Sequence, residues 1–198
     1  MTLDRQSLRR QLRRARRELS PAARSHAAHS VAQHVARRWP LPRPMRIGAY
    51  LTFGPELDTL PLLELAAKRG WEVFVPRIDS LRGARMSFVR FAGELRVNRY
   101  GIPEPAGSGE EDRIDPRWLD VVFVPLLGVG PNGERLGAGA GFYDRAFAHR
   151  LLRQAWRKPL LVGIAYDAQR LDSFASASWD VPLDALITES GFHRFEAT

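Results

Sequence analysis

The chain contains no cysteine. That absence excludes a disulfide framework, thiolate metal sites and a cysteine nucleophile, and it fits a reducing compartment. Lysine is nearly missing too: only Lys68 and Lys158 occur among 30 basic residues, and the rest are arginine. No apolar run approaches the ~18 residues of a membrane-crossing helix. The N-terminus lacks the apolar stretch of a secretory signal, although its Arg-rich, acid-poor character resembles a mitochondrial presequence. We therefore expect a cytoplasmic protein with no membrane partner. Histidine is sparse, at five residues. His26, His29 and His34 share one predicted helix, but no pair has the i, i+4 spacing that grips zinc, so they read as surface residues.

What is present is ordinary for a folded protein. The 198 residues are 44% hydrophobic and 26% charged. A chain of this length buries roughly 70% of the surface its unfolded form exposes, enough for one core. No internal repeat or linker interrupts it, so residues 1–198 are expected to form a single α/β domain. The net charge of +8 asks for nucleic acid, an acidic membrane surface or a polyanionic small substrate. The arginine-for-lysine bias, with abundant alanine, glycine and proline, offers a purely compositional origin for the same excess.

Hydrophobic periodicity organises the chain. Leu8, Leu12, Ala15 and Leu19 recur at helical spacing, while Arg5, Arg9, Arg13 and Arg16 line another face. Ser20-Pro21 reads as a cap and first residue of a second helix to about Arg38, which the Pro-rich stretch from Trp39 to Pro44 stops. This makes 1–39 a helical segment packed on the domain. Strands are expected at Arg46 to Leu51, Glu72 to Pro76, Met86 to Phe91, Val121 to Leu126, Leu160 to Ala165 and Ala185 to Thr188. Helices are expected after Asp58 or Thr59, ending at Gly70, and from about Ala140 to Arg153; Ala106 to Asp112 reads as a loop. Alternating strands and helices predict a mostly parallel open sheet with helices on both faces, preceded by the two N-terminal helices. Ligands of such sheets collect at the C-terminal strand ends.

Two glycine clusters follow the Val121 strand. Gly128-Val129-Gly130-Pro131-Asn132-Gly133 matches G-x-G-x-x-G literally. Pro131 and Asn132-Gly133 make a turn where a dinucleotide site needs a helix start, and the acidic residue expected further on is missing. No Walker-type phosphate loop occurs. Gly137, Gly139 and Gly141 lie directly before a predicted helix. There, glycine backbone N–H groups and a helix start favour an anion. Arg135 and Arg145 flank the cluster and could neutralise phosphate. Asp144 is placed to hold Mg²⁺ or to complement the helix dipole. On residue types alone, an RNA- or anionic-surface-binding protein and an α/β enzyme of sugar phosphates or CoA esters remain open. No RNP-type aromatic motif or zinc-finger spacing supports nucleic-acid binding.

Arg135-Leu136-Gly137-Ala138-Gly139-Ala140-Gly141-Phe142-Tyr143-Asp144-Arg145 resembles the R-L-G-x-G-x-G-[FY]-Y-D-R signature of the 5-formyltetrahydrofolate cyclo-ligases. Five further blocks are similar to that family in order: Arg5 to Arg9, Glu56-Leu57-Asp58-Thr59, Gly101-Ile102-Pro103-Glu104-Pro105, Gly163 to Gln169 and Trp179 to Asp184. The resemblance implies conversion of 5-formyltetrahydrofolate and ATP, with Mg²⁺, to 5,10-methenyltetrahydrofolate, ADP and phosphate through a phosphorylated formyl group. It implies that Arg5, Arg9 and the segment Arg135 to Tyr143 contact ATP. Glu56 and Gly139 to Tyr143 would contact folate, and Asp144 and Asp180 would hold Mg²⁺. Tyr143 and Arg145 stand nearest the reacting groups. It further implies small-molecule partners only, no nucleic acid, and a monomer. Ala140, Arg5 and Trp179 stand where many members carry Gly, Lys and His. Alanine at 140 argues against a left-handed backbone there.

Overall fold

In a computed structural model of the chain, the described residues are 4–39, 44–91, 93, 95–97, 103–105, 109–152 and 158–196. Local chemistry starts the two leading helices. Asp4 Oδ1 accepts from the N–H groups of Gln6 and Ser7 at 2.7 and 3.1 Å and opens α1 (Arg5–Glu18). Ser20 Oγ accepts from the Ala23 N–H at 3.1 Å and opens α2 (Pro21–Arg38), with proline in the first turn. α2 buries Ala27, Ala28, Val31, Ala32 and Val35, a mostly small stripe that lets the helix lie close to what it covers. Of the proline-rich stretch after it, residues 40–43 lie outside the described residues.

The chain continues as β1 (Arg46–Ala49), α3 (Leu60–Lys68), β2 (Glu72–Ser80), β3 (Arg85–Arg90), β4 (Leu95–Val97), β5 (Pro103–Pro105) and β6 (Arg113–Ile114). Then come β7 (Val121–Val124), β8 (Gly128–Val129), β9 (Arg135–Leu136), α4 (Phe142–Ala146), α5 (His149–Leu152), β10 (Leu160–Ile164), β11 (Ala185–Thr188) and β12 (Gly191–Arg194). Eight strands form one sheet in the order β12-β11-β10-β7-β1-β2-β3-β6. The centre, from β11 to β2, is parallel; β12, β3 and β6 join antiparallel at the edges. The continuous apolar runs of β7 and β10 suit a sheet buried on both sides. Val121 and Phe123 point to the face covered by α2 and α3. Val122 and Val124 point to the other, where Phe147, Leu119 and Leu183 pack.

The chain leaves β1 through α3 toward β2, and leaves β7 through α4 and α5 toward β10 on the opposite face. The two paths diverge at the C-terminal ends of β1 and β7. That divergence opens a crevice where doubly wound sheets bind ligands. α1 lies over this end of the sheet: Leu8 and Leu12 are buried with Leu127, Leu136 and Phe174.

Several boundaries differ from the sequence expectation. The helix expected from Ala140 to Arg153 begins only at Phe142 and breaks at Phe147-Ala148 before α5; Arg153 lies outside the described residues. The break carries Phe147 into the core, fully buried between Phe88 and Tyr143 at ring-centroid distances of 6.0 and 6.3 Å. β1 stops at Ala49 because Tyr50 turns inward and donates to the Leu57 carbonyl at 2.8 Å. β2 runs past Pro76 to Ser80 because β3 pairs with it along that length. Asp58 caps α3 from just outside, accepting from the Leu60 N–H at 3.0 Å, while Thr59 takes the cap position itself. Gly128 to Gly133 forms no helix start but leads into the β8–β9 hairpin, closed by Gly130 N–H donating to the Glu134 carbonyl at 2.9 Å. Gly101-Ile102 and residues 106–108 lie outside the described residues, and 103–105 pair with 95–97.

Leu12→Ala should cost about 2–4 kcal/mol of α1 docking, the usual range for a buried leucine. Native-state hydrogen exchange of the α1 amides checks this: protection should fall in α1 while the β7 and β10 amides keep theirs.

Candidate active site

The crevice is a cavity of about 1040 Å³. Its walls come from α1 (Arg5, Arg9, Arg13, Arg16), the β1 and β2 ends (Tyr50, Leu51, Phe53, Glu56, Pro76, Ile78), the segment from Gly137 to Arg145, and the 177–180 turn. All the candidate site residues line it except Leu136. Leu136 is fully buried, packed with Leu8, Leu12 and Leu127 beneath α1, and does not line the cavity.

The glycine segment is shaped by its backbone. Gly139 and Gly141 have φ of 117° and 74°, conformations that side chains oppose, whereas Ala140 keeps negative φ. Three of its carbonyls are taken by arginine side chains. Arg9 Nε donates to the Gly137 carbonyl at 3.0 Å, Arg13 to that of Ala138 at 3.3 Å, and Arg145 to that of Ala140 at 3.0 Å. The N–H groups of residues 137–141 donate to no partner among the described residues. Carbonyl dipoles are thus matched by guanidinium groups, and the amide N–H groups remain available to an anion.

Two carboxylates sit on the same wall. Asp180 holds Arg5 in a two-pronged ion pair, 2.6 Å to Oδ2 and 3.3 Å to Oδ1, and Oδ2 also accepts from the Ala177 N–H at 2.8 Å. Burial pushes the Asp180 carboxyl up, but Arg5 and the Ala177 N–H outweigh it and leave it below the usual carboxylate range. Asp144 takes Arg135 at 2.5 Å and the Val181 N–H at 3.2 Å, both on Oδ1. Val181 directly follows Asp180, so this bond brings the two carboxylates to one place. Arg135 is buried and also lies over the Tyr143 ring at 5.7 Å. Among the described residues no cluster of three metal-ligating side chains occurs. Two acids beside a phosphate cradle nevertheless fit a hard cation such as Mg²⁺, which draws its remaining ligands from phosphate and water.

The other end of the cavity is more apolar. Phe53, Leu51, Ile78 and Met86 line it, together with Glu56. Glu56 accepts from the Phe53 N–H at 3.4 Å, and burial raises its carboxyl above the usual range against the pull of Arg16. Tyr50 and Tyr166 donate to the carbonyls of Leu57 and Glu56, at 2.8 and 3.2 Å, and so hold this loop. Tyr143 is half-buried, stacks on Phe147 and faces the cavity, so packing and contact with ligand coexist. Burial and the Glu56 charge push its phenol well up, and it stays protonated as a hydrogen-bond donor. Phe53 and Trp179, both exposed, line the cavity without having drawn notice as site candidates, because single aromatics in loops carry no periodic signal.

Fold and site define a class: an α/β enzyme whose crevice joins a cationic, glycine-lined cradle to an apolar pocket with one acid. The 5-formyltetrahydrofolate cyclo-ligase family model matches residues 1–189, and the chain belongs to that family. The Escherichia coli K12 5-formyltetrahydrofolate cyclo-ligase is 32% identical over 183 residues, covering 90% of this chain and 97% of its own. The 5,10-methenyltetrahydrofolate synthetase structure from Aquifex aeolicus superposes with a TM-score of 0.80 at 26% identity, covering 98% of this chain and 94% of its own. That from Mycoplasma pneumoniae gives 0.73 at 25% identity, with 94% and 99% covered.

The raised Glu56 carboxyl carries a stability consequence. The native state holds this proton to higher pH than the unfolded chain, so stability falls as pH rises from the unfolded value through the folded one. Glu56→Gln should therefore raise the thermal midpoint near pH 7. Below about pH 4, where the unfolded carboxyl is protonated too, the two proteins should converge. Thermal unfolding across that range checks both arms.

Proposed function

We propose that this chain catalyses the ATP-dependent cyclisation of 5-formyltetrahydrofolate to 5,10-methenyltetrahydrofolate, releasing ADP and phosphate, in the crevice between β1 and β7. The observation that carries the reading is the row of N–H groups at 137–141, without partners among the described residues and framed by Arg5, Arg9, Arg13, Arg135 and Arg145. Such a row suits the triphosphate of ATP. The apolar end with Phe53, Ile78, Met86 and Glu56 suits the flat pterin.

The nucleophiles belong to the substrate, so the protein needs no serine or cysteine. The formyl oxygen attacks the γ-phosphorus and ADP leaves. N10 of the folate attacks the activated carbon and gives up its proton. The phosphate departs with the C–O bonding pair and the ring closes. The chain's task is to align oxygen and phosphorus and to stabilise charge on the transferring group. Arg135 and Arg145 are assigned to that charge. Tyr143, protonated, donates a hydrogen bond and serves as neither base nor nucleophile. Asp144 and Asp180 would hold Mg²⁺, which supplies further neutralisation of phosphate charge when bound.

Among the described residues no helix is long and apolar enough to cross a membrane. In keeping with the family resemblance, we propose a cytoplasmic monomer of one α/β domain that acts on small molecules and has no nucleic-acid partner.

The test is turnover of 5-formyltetrahydrofolate with Mg-ATP, followed by the absorbance of the methenyl product. Absence of both turnover and ATP binding would overturn the reading. Asp144→Asn should lower kcat by about 100-fold or more while circular dichroism stays native. Arg9→Ala should raise the KM for ATP more than that for folate, and the reverse order would remove α1 from the nucleotide site.

A further inference from the structure

Arg16 is the anomaly of the crevice. It is only 7% exposed, yet lines the cavity. Its Nε is buried without a hydrogen-bond partner among the described residues. Its other contact is a long one, Nη1 to the Leu126 carbonyl at 3.5 Å. That carbonyl is already satisfied by Gln169 Nε2 at 2.7 Å. A guanidinium carries five N–H donors, and burying them unmet is costly. Glu56 is the matching anomaly. Among the described residues its carboxylate has one long contact, to the Phe53 N–H at 3.4 Å, and makes no ion pair with Arg16. The two nevertheless feel one another: burial lowers the Arg16 value and raises that of Glu56, and each charge partly offsets the other's shift. Two under-bonded opposite charges line one cavity without closing on each other.

A ligand that completes both must offer donors to the acid and an acceptor to the guanidinium. The neighbouring Phe53, Leu51, Ile78 and Met86 require it to be flat and largely apolar. An ionised phosphoryl group or a tail carboxylate fails this requirement, having no donor for Glu56 and no flat apolar face. We propose that Arg16 is a specificity-determining residue that donates to the 4-oxo oxygen of the reduced pterin, while Glu56 accepts from the adjacent ring N–H and amino group. The pairing rests on the folate reading above. It makes Arg16 functionally distinct from Arg5, Arg9 and Arg13, which share its helix face but serve the cradle.

The experiment compares 5-formyltetrahydrofolate with its 4-amino analogue, in which the acceptor becomes a donor. Binding is measured at alkaline pH, where neither ring is protonated. The wild-type chain should bind the 4-oxo compound about 10- to 100-fold more tightly, since the analogue leaves the buried guanidinium unpaired and also lacks the ring N–H that Glu56 accepts from. Arg16→Met, which removes every donor, should narrow this difference to the part that Glu56 carries and leave the affinity for Mg-ATP unchanged. Equal wild-type affinities would overturn the inference even if Arg16→Met fails to fold. So would a variant that keeps the full discrimination, or one that loses Mg-ATP instead of folate. A wild-type chain that binds no folate at all overturns the functional reading itself, a different outcome from binding without discrimination.

Discussion

The chemistry of the crevice depends on how α1 is seated. Leu8 and Leu12, one turn apart, are buried against Leu127, Leu136 and Phe174 and fix the roll of the helix. Arg5, Arg9, Arg13 and Arg16 follow at spacings of four, four and three residues, so they share one face beside the leucines. With the roll fixed, that face has one direction to look. Each arginine finds a different partner: the Asp180 carboxylate, then the carbonyls of Gly137, Ala138 and Leu126. A helix that by sequence resembles a solvated basic surface becomes a wall of the site.

That wall concentrates positive charge where water is partly excluded, and the structure offsets it selectively. Asp180 and Asp144 neutralise Arg5 and Arg135 on the cradle wall. The segment 137–141 gives three of its carbonyls to arginine side chains, and its N–H groups have no partner among the described residues. An incoming polyanion therefore meets fixed donors instead of groups that must first reorient. The apolar end is handled differently. Two tyrosines clamp the loop backbone at Glu56 and Leu57, and the acid itself is left nearly without bonds. One end of the crevice is pre-satisfied and the other is held open for a ligand that satisfies it.

Much of this was legible in the chain. The unbroken apolar runs at Val121 and Leu160 announced central parallel strands, and the shift from helical to alternating periodicity placed the helices before and between them. The six spaced blocks carried the family. What stayed hidden is decided by tertiary contact. The edge strand β6 has two residues, too few to register, and β12 reads Gly-Phe-His-Arg, with neither an apolar run nor an alternation to mark it. The break after α4 follows from the burial of Phe147 against Phe88, a residue far away in sequence. Arg13 and Arg16 look alike in the sequence; the first is exposed enough to reach the cradle and the second is enclosed, and only the sheet behind α1 distinguishes them.

The two glycine clusters show how sequence motif and physical site part company. Both flank β9, a strand of two residues. Before it, Gly130 and Gly133 serve the hairpin turn, and Gly133 also accepts from the Leu183 N–H at 2.9 Å. After it, Gly139 and Gly141 shape the cradle. Successive strand residues point to opposite sides, and β9 uses this to couple the clusters. Leu136 goes into the core beneath α1, while Arg135 crosses to Asp144 and the Tyr143 ring. The decoy turn and the leucine thus position the arginine and the cradle without lining the cavity. Their requirement for particular residues is structural, and the signature reads as one unit only because so short a strand leaves no room between its two tasks.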